Sequence, residues 1–202
     1  MRVLGLDITE HGVFGVEMDT AFGRFEIRDT HEILFDPSLD PTSINPLSAA
    51  QQMVETLAHK TERLVVSVPT EISTFRNLQL ATKDRKAIKA ALEFELEDDL
   101  PFERENMHYD SAIMSATSAG SVIHVGAVKK DSYVAFLNQL TEFGVDPDII
   151  TTETWAFRCL MSRMFAKNPN PEPILLIGLE DQKTFFYIHQ EHRPILSREV
   201  AF

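Results

Sequence analysis

Two stretches of this chain share one pattern, and that recurrence limits the folds open to it. Residues 2–8 (RVLGLDI), 13–19 (VFGVEMD) and 24–35 (RFEIRDTHEILF) are short β-rich runs separated by Glu-His-Gly and Ala-Phe-Gly turns, and they read as three consecutive antiparallel strands. Beyond residue 173, ILLIGLED, KTFFYIHQ and RPILSREVAF repeat that opening. The first copy continues through a Pro- and Asp-rich loop at 36–46 and a helical spacing from Ser48 to Lys60. The apolar run RLVVSVP at 63–69 then has the composition of a buried parallel strand. The unit is β-β-β-α-β, and the chain is expected to be a duplicated α/β architecture cut short inside its second half.

Between the two copies the pattern changes. A strand-like FRNLQL, a helix from about Lys83 to Asp99, and a hairpin of MHYDSAIM and SVIHVGAVKK around Ser118-Ala119-Gly120 make an inserted α+β element. Asp131 reads as the cap of a helix that places Val134, Leu137, Leu140 and Thr141 on one face and ends at Gly144. DIITTE at 148–153 is a short strand and TWAFRCLMSRMFAK an amphipathic helix. The run NPNPEP at 168–173, three prolines in six residues, is the strongest linker signal.

The inserted helix opposes its own dipole. Acids are favoured at a helix start and bases at its end, whereas Lys83, Arg85, Lys86 and Lys89 lead here and Glu93, Glu95, Glu97, Asp98 and Asp99 follow, just before the helix-ending Pro101. Residues 93–105 hold seven acids against Arg104 alone, a balance of -6 and half of the chain's -12. A charge run is ordinarily a solvated face; the reversed order makes this one a candidate docking surface. Ile88, Leu92 and Leu96 form the expected buried stripe, with Glu93 and Glu97 sharing another face.

Composition narrows the rest. At 202 residues and 44% hydrophobic content, one or two cored domains are expected. The net charge repels nucleic acid and anionic membrane surfaces and favours basic partners. The single cysteine, Cys159, excludes an internal disulfide, and the seven histidines show no zinc spacing. Cys159, Met161 and Met164 read as core packing, and His108 and His124 as polar groups of the insertion strands. No apolar run approaches the roughly 18 residues a membrane span needs, so what is present is expected to be soluble, and the lone cysteine fits a reducing, cytoplasmic setting.

The stretches LGLDITEHGVFGVEM (4–18), VVSVPTEISTFRNLQL (65–80), AALEFELEDDLPF (90–102) with HYD (108–110), HVGAVKKDSYVAFLNQLTEFGVDPDIITTE (124–153) and ILLIGLEDQKTFFYIHQEHRPILSRE (174–199) resemble, in order, the actin-like PilM and GspL proteins of type IV pili and type II secretion. The acidic helix ending in Leu-Pro-Phe is closest to GspL-like members. The resemblance implies a first RNase-H-like subdomain (1–69 and 128–167), an inserted α+β subdomain (70–127), a linker (168–173) and the opening strands of a second RNase-H-like subdomain (174–202). It implies a non-catalytic scaffold with no cofactor, partnered by a GspE-like secretion or assembly ATPase and by inner-membrane platform proteins, with any membrane helix beyond residue 202 and a homodimer possible.

Active members of the fold hold nucleotide between two glycine-bearing hairpins. Here the first keeps Asp7 but has Thr9 where glycine is expected, and Glu10 adds a charge that repels phosphate. The second has Ile177 in place of the acid and two acids, Glu180 and Asp181, in the turn. Asp7, Thr9 and Thr184 are thus a vestigial nucleotide site, and Glu93, Glu97, Asp98 and Asp99 the expected partner-binding residues. A nucleotide-binding ATPase or kinase of the same fold is the alternative. A two-metal nuclease would need converging carboxylates that the chain lacks.

Overall fold

The structure, a computed structural model, describes residues 1–36, 38–40, 43–57, 61–99, 103–164, 172–179, 183–190 and 193–201. The expected Pro101 stop, most of the linker at 168–173 and the second hairpin tip at 180–182 lie outside the described residues. Two compact units divide the chain: residues 1–68 with 134–151, and residues 69–133 with 152–202.

The first unit is a five-stranded sheet of order β3-β2-β1-β4-β8, with β1 (Arg2–Ile8), β2 (Gly12–Ala21), β3 (Arg24–Leu34), β4 (Arg63–Val68) and β8 (Ile149–Thr152). β1 pairs antiparallel with β2 and parallel with β4, as the sequence predicts. Helix α1 (Pro46–Leu57) starts where Asn45 accepts the Leu47 N–H at 3.1 Å and proline occupies the first helical position. It packs Ala49, Ala50, Met53 and Leu57 onto Leu4, Leu6, Val13, Leu64 and Val66. Gly15 admits this approach: a Cβ there would lie 2.7 Å from the Met53 Sδ.

Helix α3 (Lys130–Glu142) begins one residue before Asp131, which falls in the first turn rather than at the cap. Its end is a Schellman motif: the Val145 N–H donates to the Leu140 carbonyl, the Gly144 N–H donates to Thr141, and Gly144 has φ +69°. The buried face is Phe136, Leu137 and Leu140, and Val134 is exposed. Asp148 closes the bottom of β4, accepting from the Leu64 N–H at 2.8 Å and the Arg63 guanidinium at 2.7 Å, contacts that hold its carboxyl below the usual range.

The second unit contains two three-stranded sheets. One, of order β5-β7-β6, is built from β5 (Ser73–Leu80), β6 (Met107–Thr117) and β7 (Gly120–Lys129) and carries α2 (Arg85–Asp99). Ile88, Leu92 and Leu96 are buried on Leu78, Leu80, Ile123, Val125 and Ala127, the stripe read from the sequence. The other is the meander β9 (Ile174–Leu179), β10 (Lys183–Gln190) and β11 (Arg193–Ala201), antiparallel throughout. Helix α4 (Glu153–Met164) supplies Met161 and Phe157 to its core with Phe185 and Tyr187. Cys159 and Met164 are exposed, so neither is the core residue the sequence suggests; a 12-residue helix on a three-stranded sheet buries a narrower face than the apolar spacing implies.

Candidate functional site

Between β1 and β2 the chain turns through Thr9, Glu10 and His11, and the turn is closed by its own threonine. The Thr9 hydroxyl donates to the Gly12 carbonyl at 2.9 Å and accepts the His11 and Gly12 N–H groups, each at 3.2 Å. The Thr9 N–H also donates to the Gly12 carbonyl, at 3.0 Å. Those amides are the donors a phosphate would need, and here an ST-turn occupies them. The Asp7 carboxylate is exposed and accepts from the Ser67 hydroxyl at 2.9 Å. Glu10 is exposed and lies 3.4 Å from the His11 ring. Thr184 belongs to the other unit, half-buried on β10 opposite Leu179.

The acidic helix begins differently from the sequence expectation. Lys83 precedes it, and Asp84 caps it, its carboxylate accepting the Lys86 N–H at 2.9 Å and the Ala87 N–H at 2.8 Å. The positive end of the dipole therefore meets an acid after all, and the reversal is confined to the helix body and its last turn. Glu93 is half-buried, Glu95 is exposed, and between them Phe94 is 74% exposed, a residue the charge argument passed over. Glu97, Asp98 and Asp99 form the last turn of α2, and their side chains lie outside the described residues. Beside the basic half, a cleft of about 610 Å³ runs between α2 and β6, lined by Arg85, Lys89, Leu92, Tyr109 and Ile113 among others.

His108 and His124 do not meet. His108 stands across from Val128, four positions along β7 from His124, and touches the Tyr133 ring edge-on with centroids 5.4 Å apart. His124 is buried between Phe75 and Trp155, with ring centroids 5.2 and 5.5 Å away, and its Nδ1 lies 3.0 Å from the Asn77 Oδ1. Burial first and the Arg158 charge second push its pKa down to about 4. Arg158 itself lies 4.2 Å from the centre of the Trp155 ring. In the first unit, sequence reasoning missed the buried Glu17, whose carboxylate is 2.8 Å from the His31 Nε2; a carboxylate inside an apolar strand is its only sequence signal.

A β-β-β-α-β unit with a strand-end acid beside a closed turn, and an α+β element bearing an acidic helix, are the parts of an actin-like α/β fold. The sequence model described as type II secretion system protein L matches residues 44–158, more than half of the chain. The chain belongs to that family, whose members are components of the secretion system. Among solved structures it is similar to a PilM–PilN type IV pilus biogenesis complex, at TM-score 0.75 and 17% identity over 100% of this chain and 62% of that one. It is similar also to the cytoplasmic domain of EpsL, an inner-membrane component of the Vibrio cholerae type II secretion system, at TM-score 0.59 and 14% identity over 100% of this chain and 71% of that one. A Bacteroides thetaiotaomicron protein of actin-like ATPase fold and unknown function gives TM-score 0.52 and 10% identity, over 100% of this chain and 70% of that one. The chain thus spans 62% of the length of the first of these. No curated protein sequence matches it. Among the described residues, no helix is long and apolar enough to cross a membrane.

Proposed function

We propose that this chain is a non-catalytic scaffold on the cytoplasmic face of the inner membrane, one that joins a secretion or pilus platform to its ATPase. Family membership and the fold shared with PilM and EpsL support the platform role. The observation that carries the non-catalytic half is the Thr9 turn, whose amides are spent on a side chain of the same turn. In the same reading, Glu93, Glu97, Asp98 and Asp99 steer basic residues of the ATPase onto the end of α2, and residues 70–127 are an insertion into the first subdomain, with a second RNase-H-like subdomain opening at 174.

Two measurements test it. Mg-ATP at millimolar level should leave the melting temperature unchanged, whereas a rise of several degrees would show a working nucleotide site. Glu93→Lys with Glu97→Lys should weaken capture of the cognate ATPase about tenfold and flatten its salt dependence; undiminished capture would retire the docking surface. One observation keeps the nucleotide-binding alternative in view: Asp7 is still an exposed carboxylate at the end of β1, where a metal ion could reach it.

A further inference from the structure

Helix α2 lies over β5 and β7 and leaves most of β6 uncovered. Its stripe is buried on Leu78, Leu80, Ile123, Val125 and Ala127, and Met107 is the β6 residue in that core. Beyond Met107, Tyr109, Ser111 and Ile113 stand opposite Ala127, Val125 and Ile123, so they share the face on which α2 packs. Tyr109 and Ile113 are nevertheless 37% exposed each. The space above them is the cleft of about 610 Å³, with Ile88, Leu92, Tyr109 and Ile113 as its apolar lining and Arg85 and Lys89 as its cationic wall. Among the described residues no carboxylate pairs with either cation. Asp110 also lines the cleft, but its carboxylate accepts the Ser111 N–H at 2.7 Å.

The outer edge of β6 is open as well. In the order β5-β7-β6 the strand pairs only with β7 among the described residues, so alternate N–H and carbonyl groups along it point away from the sheet. A long edge strand is ordinarily guarded by lysine, proline or a bulge. β6 (MHYDSAIMSAT) has neither residue, and its bulge falls only between Ile113 and Ser115. The regular ladder of Met107–Ile113 is thus free to accept one more strand.

We propose that this groove takes an extended acidic segment of another protein, which adds to β6 as a fourth strand and turns two carboxylates toward Arg85 and Lys89. The two cations are one turn apart, about 6 Å along α2, and alternate residues of a strand lie about 6.7 Å apart on one face. Carboxylates at positions i and i+2 therefore reach both, and apolar side chains at the neighbouring same-face positions rest on the Tyr109 and Ile113 floor. A basic segment would meet the cations with its own sign, and a helical one would leave the β6 edge unpaired. Main-chain bonds to β6 supply the adhesion, and the two ion pairs select the sequence. The site does not depend on the ATPase reading, which uses the acidic end of α2 rather than its basic half.

Fluorescence anisotropy of the whole chain with a labelled peptide, Thr-Ile-Thr-Glu-Thr-Glu-Thr-Ile-Thr, tests the proposal. The peptide reads alike in either direction and sets Ile, Glu, Glu and Ile on one face. Saturable binding is expected at low salt, about tenfold tighter than for the same peptide with both Glu changed to Lys. Arg85→Glu with Lys89→Glu should reverse that preference, and Ile113→Lys should weaken binding of the acidic peptide about tenfold. Unchanged melting temperatures establish that each variant is folded. Hydrogen exchange at residues 107–113 should slow in the complex, because the outward amides gain partners. No saturation at about 1 mM, equal affinity for the two peptides, or binding without that protection would overturn the proposal. Protection that grows with chain concentration in the absence of peptide would also overturn it, in favour of a second copy as occupant. Glu93→Lys with Glu97→Lys should leave the acidic peptide bound at least as tightly, so loss of ATPase capture and loss of peptide binding are read independently.

Discussion

His124 is held neutral by its neighbours. The Asn77 Nδ2 donates to the Pro194 carbonyl at 2.5 Å, which turns its Oδ1 toward the imidazole and makes the His124 Nδ1 the hydrogen-bearing nitrogen. Burial and Arg158 then oppose a second proton, lowering the pKa from 6.5 to about 4. Below pH 6.5 the unfolded chain takes up that proton and the folded chain does not, so stability is lost as pH falls from about 6.5 toward 4. Chemical denaturation at pH 7 and at pH 5 should differ by about 2 kcal/mol more in the native protein than in His124→Leu; equal differences would contradict this account. Nothing in the sequence marks His124 for this role, because Asn77 lies 47 residues away on another strand and Trp155 on a helix. Thr9 was legible, since a threonine where phosphate sites place glycine already signals a changed turn. Its closure of that turn through three hydrogen bonds was not.

At the level of elements, strands were easier to read than helix ends. Alternation and flanking turn residues located β1 to β4 and the β6–β7 hairpin closely, because the period-2 pattern is set by which face is buried. Caps depend on which N–H a short side chain reaches. Asp84 and Asp131 each stand beside a basic residue at a helix start, yet only Asp84 accepts from the following amides. Asp84→Ala should therefore lower stability by about 1 kcal/mol, whereas Asp131→Ala should cost less; urea midpoints compare them. Leu96→Ala, at a position with no exposure, should cost about 3 kcal/mol in the same assay. Gly120→Ala is expected to be worse than either cap change. Its φ is +136° and an added Cβ would meet the Leu80 carbonyl oxygen at 2.2 Å, so the β6–β7 hairpin would have to part from β5.

For the molecule as a whole, the order of elements was the readable signal and the width of buried faces was not. Two three-strand meanders around a helix and a buried strand marked a duplicated α/β architecture, the resemblance to PilM and GspL proteins made that reading actin-like, and the structural similarity holds at 17% identity. Periodicity gave α4 an apolar face, yet left Cys159 and Met164 on its exposed side, since how far neighbouring strands extend is a tertiary fact. The same holds for Phe94, an aromatic residue in a helix whose stripe is Ile88, Leu92 and Leu96, and open surface in the fold. The central claim is that a phosphate turn filled by its own threonine leaves this chain to bind proteins instead of nucleotides. Calorimetric titration of the chain with its cognate secretion ATPase, repeated with the chain first saturated with Mg-ATP, tests it directly. The account predicts saturable binding of the ATPase and no heat from Mg-ATP; stoichiometric Mg-ATP binding to the chain with no heat from the ATPase would contradict it.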